Sequence, residues 1–189
     1  GRLRKWGMDK ILSGDIIVEQ NIHTLDVDTW IIDAAPVNAV GTGGRKLRKG
    51  DDVIFDYFNL VFEYPDGVAV SFYSRQFGEG PDGINNVMFG TQGAIETHYG
   101  GPVRLYGKAP YPGGNTGNIY EDGAVANIAT FADSIKAGKV ENATVPPSVR
   151  SNLASILGRT AAYTGKKVTW DEMMKANEKL IRNLDGAKD

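Results

Sequence analysis

Two runs rich in aromatic and β-branched residues, Ile54–Tyr64 and Val68–Phe77, are separated only by Pro65-Asp66-Gly67. Such runs are strand formers, and a proline that presets one dihedral before a glycine that supplies a positive one makes a hairpin turn between them. Alternation then puts Phe55, Tyr57, Asn59 and Val61 on one face. Ile54, Asp56, Phe58, Leu60 and Phe62 fall on the other. A chain with this hairpin has to build an antiparallel sheet and bury one face of it.

More of the same follows. Pro36 to Gly41 reads as a short strand ending in glycines, and Asn86–Phe89, Ala94–His98 and Val103–Tyr106 as three more. Lys108 to Asn118, rich in glycine and proline, reads as a loop. The last third turns helical: Ala124–Lys136, stopping at Gly138, then a helix opened by Pro146-Pro147-Ser148 and closed by Gly165. Val149, Leu153, Ile156, Leu157 and Ala161 keep helical spacing in it. Thr169 and Glu172 form a capping-box pair for a final helix, and the tail after Leu184 is expected to fray. Helix, antiparallel strands, then helices make an α+β domain: an open, predominantly antiparallel sheet with helices packed on one face. The opposite sheet face becomes a candidate for pairing with a second subunit or another domain.

The chemistry concentrates near the amino end, in SGDIIVEQNIHTLDVDTW, Ser13 to Trp30, which holds one of the two histidines. It reads as a single helix capped by Ser13 or Asp15. Glu19, His23, Asp26 and Trp30 then share one side, and Ile16, Ile22, Leu25 and Thr29 mark a neighbouring stripe toward the core. A carboxylate that orients an imidazole is how a protein makes a general base near neutral pH. The same spacing also suits a solvated i,i+4 contact, or a metal site from Glu19, His23 and Asp26 with only His98 to complete the shell.

Composition narrows the classes. The 189 residues carry a net charge of −2, against a nucleic-acid surface, and no apolar run is long enough for a membrane span. The basic cluster Arg45-Lys46-Leu47-Arg48-Lys49 reads as a solvated loop, with phosphate binding as the alternative. Without cysteine there is no disulfide or thiolate metal site, and the compartment stays open. Gly41-Thr42-Gly43-Gly44 fails as a dinucleotide fingerprint, because the third glycine would fall at Lys46.

These pieces carry a resemblance. SGDIIVEQNIHTLDVDTW, PVNAVGTGGR, FDYFNLVFEYPDGVAVSFYSRQF, FGTQGAIETHYGG and SVRSNLASILGRTAAYTGKKVTWDEMM, in this order, resemble the C-terminal domain of the Gfo/Idh/MocA oxidoreductases over residues 1–189. They look most like bacterial sugar and inositol dehydrogenases. The resemblance implies that His23 is the general acid/base on a substrate hydroxyl or ketone. It places Glu19 where the family usually has a substrate-orienting aspartate, and Asp26 at an acid three residues after the histidine. Tyr57 stands where many relatives carry another histidine, and Arg45 closes the GGR motif; both become candidate substrate-pocket residues. The implied substrate is a sugar or polyol, and the implied cofactor NAD or NADP.

The family's N-terminal Rossmann domain, with its glycine fingerprint and EKP-type lysine, has no counterpart in this sequence. The chain alone is therefore expected to bind no cofactor and to be inactive without that domain. A homo-oligomer through the sheet face is a family-level expectation. Two other readings stand beside it: a stand-alone binding or assembly module without a cofactor domain, and a metal-assisted lyase or hydrolase.

Overall fold

The hairpin forms and builds one wall of the core. In a computed structural model, which describes residues 2–49, 53–108 and 111–180, strand β2 (Tyr57–Glu63) pairs antiparallel with β1 (Asn38–Gly44) on one side. On its other side lies β3 (Ala69–Arg75). A two-residue strand, β8 (Val168–Thr169), pairs antiparallel with the other edge of β1, giving the order β3-β2-β1-β8. The β2–β3 turn is a single 3₁₀ turn in which both Asp66 (φ 60°) and Gly67 (φ 73°) are left-handed. Phe58, Leu60 and Phe62 are buried while Asn59, Val61 and Glu63 face out, as the alternation requires.

Helices cover the buried face. Three pieces precede the sheet: α1 (Lys10–Ser13), α2 (Ile16–Glu19) and α3 (Ile22–Ile32). After α4 (Ile119–Lys136) come α5 (Val145–Thr164) and α6 (Trp170–Ala176). Ile16, Ile17 and Leu25 from the first group and Leu157, Ala161 and Ala162 from α5 join Ala39, Phe58, Leu60, Phe62 and Phe72 in one core. Of the apolar stripe read from the sequence, Leu157 and Ala161 are buried and Leu153 and Ile156 pack against the core, so only Val149 departs from it. Val149 is half exposed, and the buried positions are largely small: Ser151, Ala154, Ser155 and Gly158. Small residues let the helix approach closely. A Cβ built on Gly158 would stand 2.6 Å from Phe62 Cζ. Thr29 and Ser151 share a buried hydroxyl–hydroxyl bond of 2.6 Å that ties α3 to α5.

The capping box on α6 is formed: Thr169 Oγ1 accepts from the Glu172 amide, and the Glu172 carboxylate accepts from the Thr169 amide. Gly165 closes α5, its amide donating to Ala161. The segment after Leu184 lies outside the described residues.

The fold class is α+β with antiparallel sheets, and the strands divide between two of them. Gly1–Glu79 with Pro146–Asp189 is one compact unit; Gly80–Val145 is a second. In the second, β4 (Asn85–Gly90), β5 (Gly93–His98), β6 (Pro102–Gly107) and β7 (Tyr111–Asn115) pair in sequence order. β7 corrects the loop expected over Lys108–Asn118. Glycines at 113 and 114 weaken intrinsic strand preference, but pairing with β6 across a bulge at Val103/Leu105 overrides it. The same unit contains α4, which starts at Ile119, earlier than expected, because the Asn118 side chain caps it. No described helix is long and apolar enough to cross a membrane.

Candidate functional site

The segment read as one helix is two. Asp15 caps α2 through its own side chain, but the helix opens after Glu19. The Ile16 carbonyl accepts from both the Gln20 and Asn21 amides, each at 2.9 Å, so the turn widens by one residue before α3 begins. A widened turn of this kind shifts the phase of everything after it. Glu19 therefore does not stand four residues before His23 along one continuous helix, which corrects the single-face arrangement. His23, Asp26 and Trp30 do share α3, and all three are exposed, Trp30 at 71%. Leu25, Asp28 and Thr29 turn inward. Glu19, half-buried at the end of α2, accepts a long bond from Gln20 Nε2 (3.4 Å).

Arg45 and Tyr57 lie at the same end of β1 and β2. Tyr57 pairs with Gly44, the residue before Arg45, and its hydroxyl lies over Gly44, 2.9 Å from where a Cβ would be. Its ring stands edge-on to Phe77 at 6.2 Å. Arg45 donates from Nη1 to the Val53 carbonyl at 2.9 Å and sits 5.9 Å above the Phe55 ring. The basic loop that follows is anchored rather than solvated throughout. The buried Asp56 carboxylate accepts from the amides of Lys46, Leu47 and Arg48 at 2.5, 2.7 and 3.2 Å. It also pairs with Arg48 Nη1 at 3.0 Å. Burial pushes the Asp56 carboxyl up, but the three amides and Arg48 outweigh it and hold it below its ordinary value. With Arg48 engaged in this way, the loop's guanidinium is part of a structural clamp.

A second buried carboxylate escaped the sequence reading beyond its capping role. Asp15 is fully buried, at φ 81° and ψ 161°. A non-glycine residue there is strained by about 1–3 kcal/mol and persists only where surrounding structure enforces it. Here the enforcement is visible. Asp15 Oδ1 accepts from the Ile16 amide (2.6 Å), and Oδ2 from the Phe55 amide (3.1 Å) and the Tyr163 hydroxyl (2.5 Å). Arg159 Nη1 donates to the Gly14 carbonyl at 3.0 Å. Tyr163 stacks on Phe55 at 3.8 Å, with Lys10 Nζ 4.5 Å from its ring centroid. Burial raises the Asp15 carboxyl above its usual range despite the Tyr163, Phe55, Ile16 and Arg159 contacts, and burial followed by the Asp15 charge raises the Tyr163 hydroxyl. The signal in the sequence was an acid directly before the apolar run Ile16-Ile17-Val18, which needs partners once buried.

Among the described residues, no three histidines or carboxylates converge on a point that could hold a metal ion. His98 lies in the other unit, where Glu96 bridges it (2.8 Å) to the Tyr106 hydroxyl (2.6 Å). The glycine run 41–44 does not fit a dinucleotide either. It lies in β1, paired along its length with β2, and a Cβ on Gly41 would meet the Asn59 carbonyl. These glycines serve close strand pairing, not the start of a helix at a pyrophosphate.

A family model described as the GFO/IDH/MocA C-terminal domain matches residues 2–96. No curated protein sequence matches the chain. Among solved structures, an oxidoreductase domain protein from Kribbella flavida superposes with a TM-score of 0.70 at 14% identity, covering 87% of this chain and 52% of that one. Myo-inositol 2-dehydrogenase from Lactobacillus plantarum gives 0.64 at 18% identity, over 83% and 49%. An oxidoreductase from Agrobacterium radiobacter in complex with NAD+, L-tartaric acid and magnesium gives 0.63 at 15%, over 82% and 48%. The chain thus spans about half the length of the solved structures it matches, and at these identities the likeness is one of fold.

Proposed function

Because this chain belongs to the GFO/IDH/MocA family, through the C-terminal domain of that name, we propose that it is the substrate-binding and oligomerisation portion of an NAD(P)-dependent oxidoreductase acting on a secondary alcohol of a sugar or polyol. The observation that carries this reading is the exposed His23 on α3 within the matched segment, one widened turn after the acid Glu19. In the reaction, the His23 imidazole takes the hydroxyl proton as the carbon is oxidised and returns it in the reverse direction. Glu19 and Asp26 accept hydrogen bonds from neighbouring hydroxyls. Tyr57 and Arg45 bind the substrate farther from the reacting carbon. The nicotinamide that accepts the hydride belongs, in this reading, to a Rossmann domain acting together with this chain.

The outward sheet face, with Val40 and Val61 each 39% exposed and Tyr73 at 61%, pairs with a second copy in the same proposal. The test is direct. Mixed with NAD+ or NADP+ and a panel of polyols and aldoses, the 189-residue chain alone is expected to give no absorbance change at the nicotinamide band. A polypeptide joining it to a Rossmann domain is expected to reduce the cofactor, and His23→Asn to lower kcat about 10²–10⁴-fold with a smaller effect on KM. Turnover by the chain alone, or full activity in His23→Asn, refutes the assignment.

A further inference from the structure

The buried Asp15–Tyr163 contact plays no part in the proton transfer just described, yet the backbone that carries the candidate acid and base hangs from it. The connection can be followed bond by bond. Asp15 is held from three directions, by the Ile16 and Phe55 amides and the Tyr163 hydroxyl, so a turn at the front of α2 is fastened to the entry of β2 and to α5. Its own carbonyl then accepts from the Glu19 amide at 3.0 Å. The next residue, Ile16, accepts from both Gln20 and Asn21, which creates the widened turn, and the Gln20 carbonyl accepts from the His23 amide at 3.3 Å. Arg159, one turn of α5 before Tyr163, grips the residue on the other side, Gly14. The widened turn hangs from the Asp15 and Ile16 carbonyls, which accept from the Glu19, Gln20 and Asn21 amides, so whatever fixes Asp15 and Ile16 bears on its geometry.

We propose that Asp15, clamped by Tyr163, is a positioning residue that sets where the Glu19 and His23 side chains stand. This rests on the reading of those two residues as the acid–base pair. A backbone at φ 81° in a buried, non-glycine position is the kind of strain that surrounding structure maintains where geometry matters. Tyr163 supplies that restraint from α5, a helix otherwise occupied with the core.

With just two histidines in the chain, the imidazoles can be watched separately without turnover. Carbon-13 correlated spectra of the 189-residue chain give one Cε1–H cross-peak per histidine, and His98→Gln identifies which is which. Tyr163→Phe, which removes one hydroxyl and keeps the stack on Phe55, is expected to move or split the His23 cross-peak while the His98 peak stays in place. Asp15→Asn is expected to do likewise, and the double variant to move it no farther than the larger single, since both act through one bond.

An unmoved His23 peak in both folded single variants overturns the proposal, and so does an equal displacement of both peaks. Loss of the whole fold in both variants also overturns it, since the residue would then hold the domain rather than the site. The spectra use no cofactor or substrate. Failure of the dehydrogenase assignment in the His23→Asn assay would thus be seen separately from failure here.

Discussion

Removing the carboxylate of Asp56 should release the loop that carries Arg45 and Arg48. At pH 7 this group accepts three consecutive backbone amides and pairs with Arg48 while only 1% exposed. Each buried donor left without a partner costs about 1–3 kcal/mol. Three together would exceed the penalty for letting the loop open to water, so that opening sets the ceiling. Breaking one side of a buried charge pair costs about 3–5 kcal/mol, and we expect Asp56→Ala to fall at the lower end of that range, with Asp56→Asn at about half, because its amide oxygen still accepts.

The pH dependence has a definite sign. The folded carboxyl lies below its unfolded value of about 3.9, so its contribution is complete above that pH and is lost as pH falls through the folded value. Urea titrations at several pH values should show a gap between wild type and Asp56→Ala that is constant from pH 7 to about 5 and narrows only below about 4. A loss under about 1 kcal/mol at neutral pH, or a gap unchanged in acid, would refute the account of the clamp.

Two further perturbations read other parts of the fold. Gly158→Ala should destabilise, since its Cβ would stand 2.6 Å from Phe62 Cζ and 2.9 Å from Leu60 Cδ1, both in the buried core. Overpacking of about 1–3 kcal/mol opposes a helix-propensity gain of about 1 kcal/mol, and a variant more stable to urea than wild type would show that α5 lies farther from the sheet. Tyr64→Phe should leave stability unchanged or raise it by up to about 1 kcal/mol, because a buried hydroxyl without a hydrogen-bond partner gains nothing from being polar. A clear drop in melting temperature would mean the hydroxyl has a bond.

What could be read in advance was whatever short-range chemistry decides. Alternation separated Phe58, Leu60 and Phe62 from Asn59 and Val61 because side chains in a strand point to opposite faces whatever lies beyond. The Pro65-Asp66-Gly67 turn, the Thr169/Glu172 cap and the Gly165 stop follow equally from local dihedral and hydrogen-bond rules. In the candidate site, the same rules placed His23 and Asp26 together on an outward helix face. They could not place the widened turn after Glu19, since helical periodicity carries no sign of it; its geometry depends on a carboxylate held by a tyrosine 148 positions away in sequence. β7 is strand because β6 offers it a ladder, and α5 has glycine at 158 because Phe62 and Leu60 of the sheet leave no room there for a side chain. The sequence by itself determined the α+β class, the hairpin and the identity of the chemical groups. Tertiary structure alone decided which acids are buried, what phase separates Glu19 from His23 and how the strands divide into two sheets, because each of these turns on partners that meet only when the chain has folded.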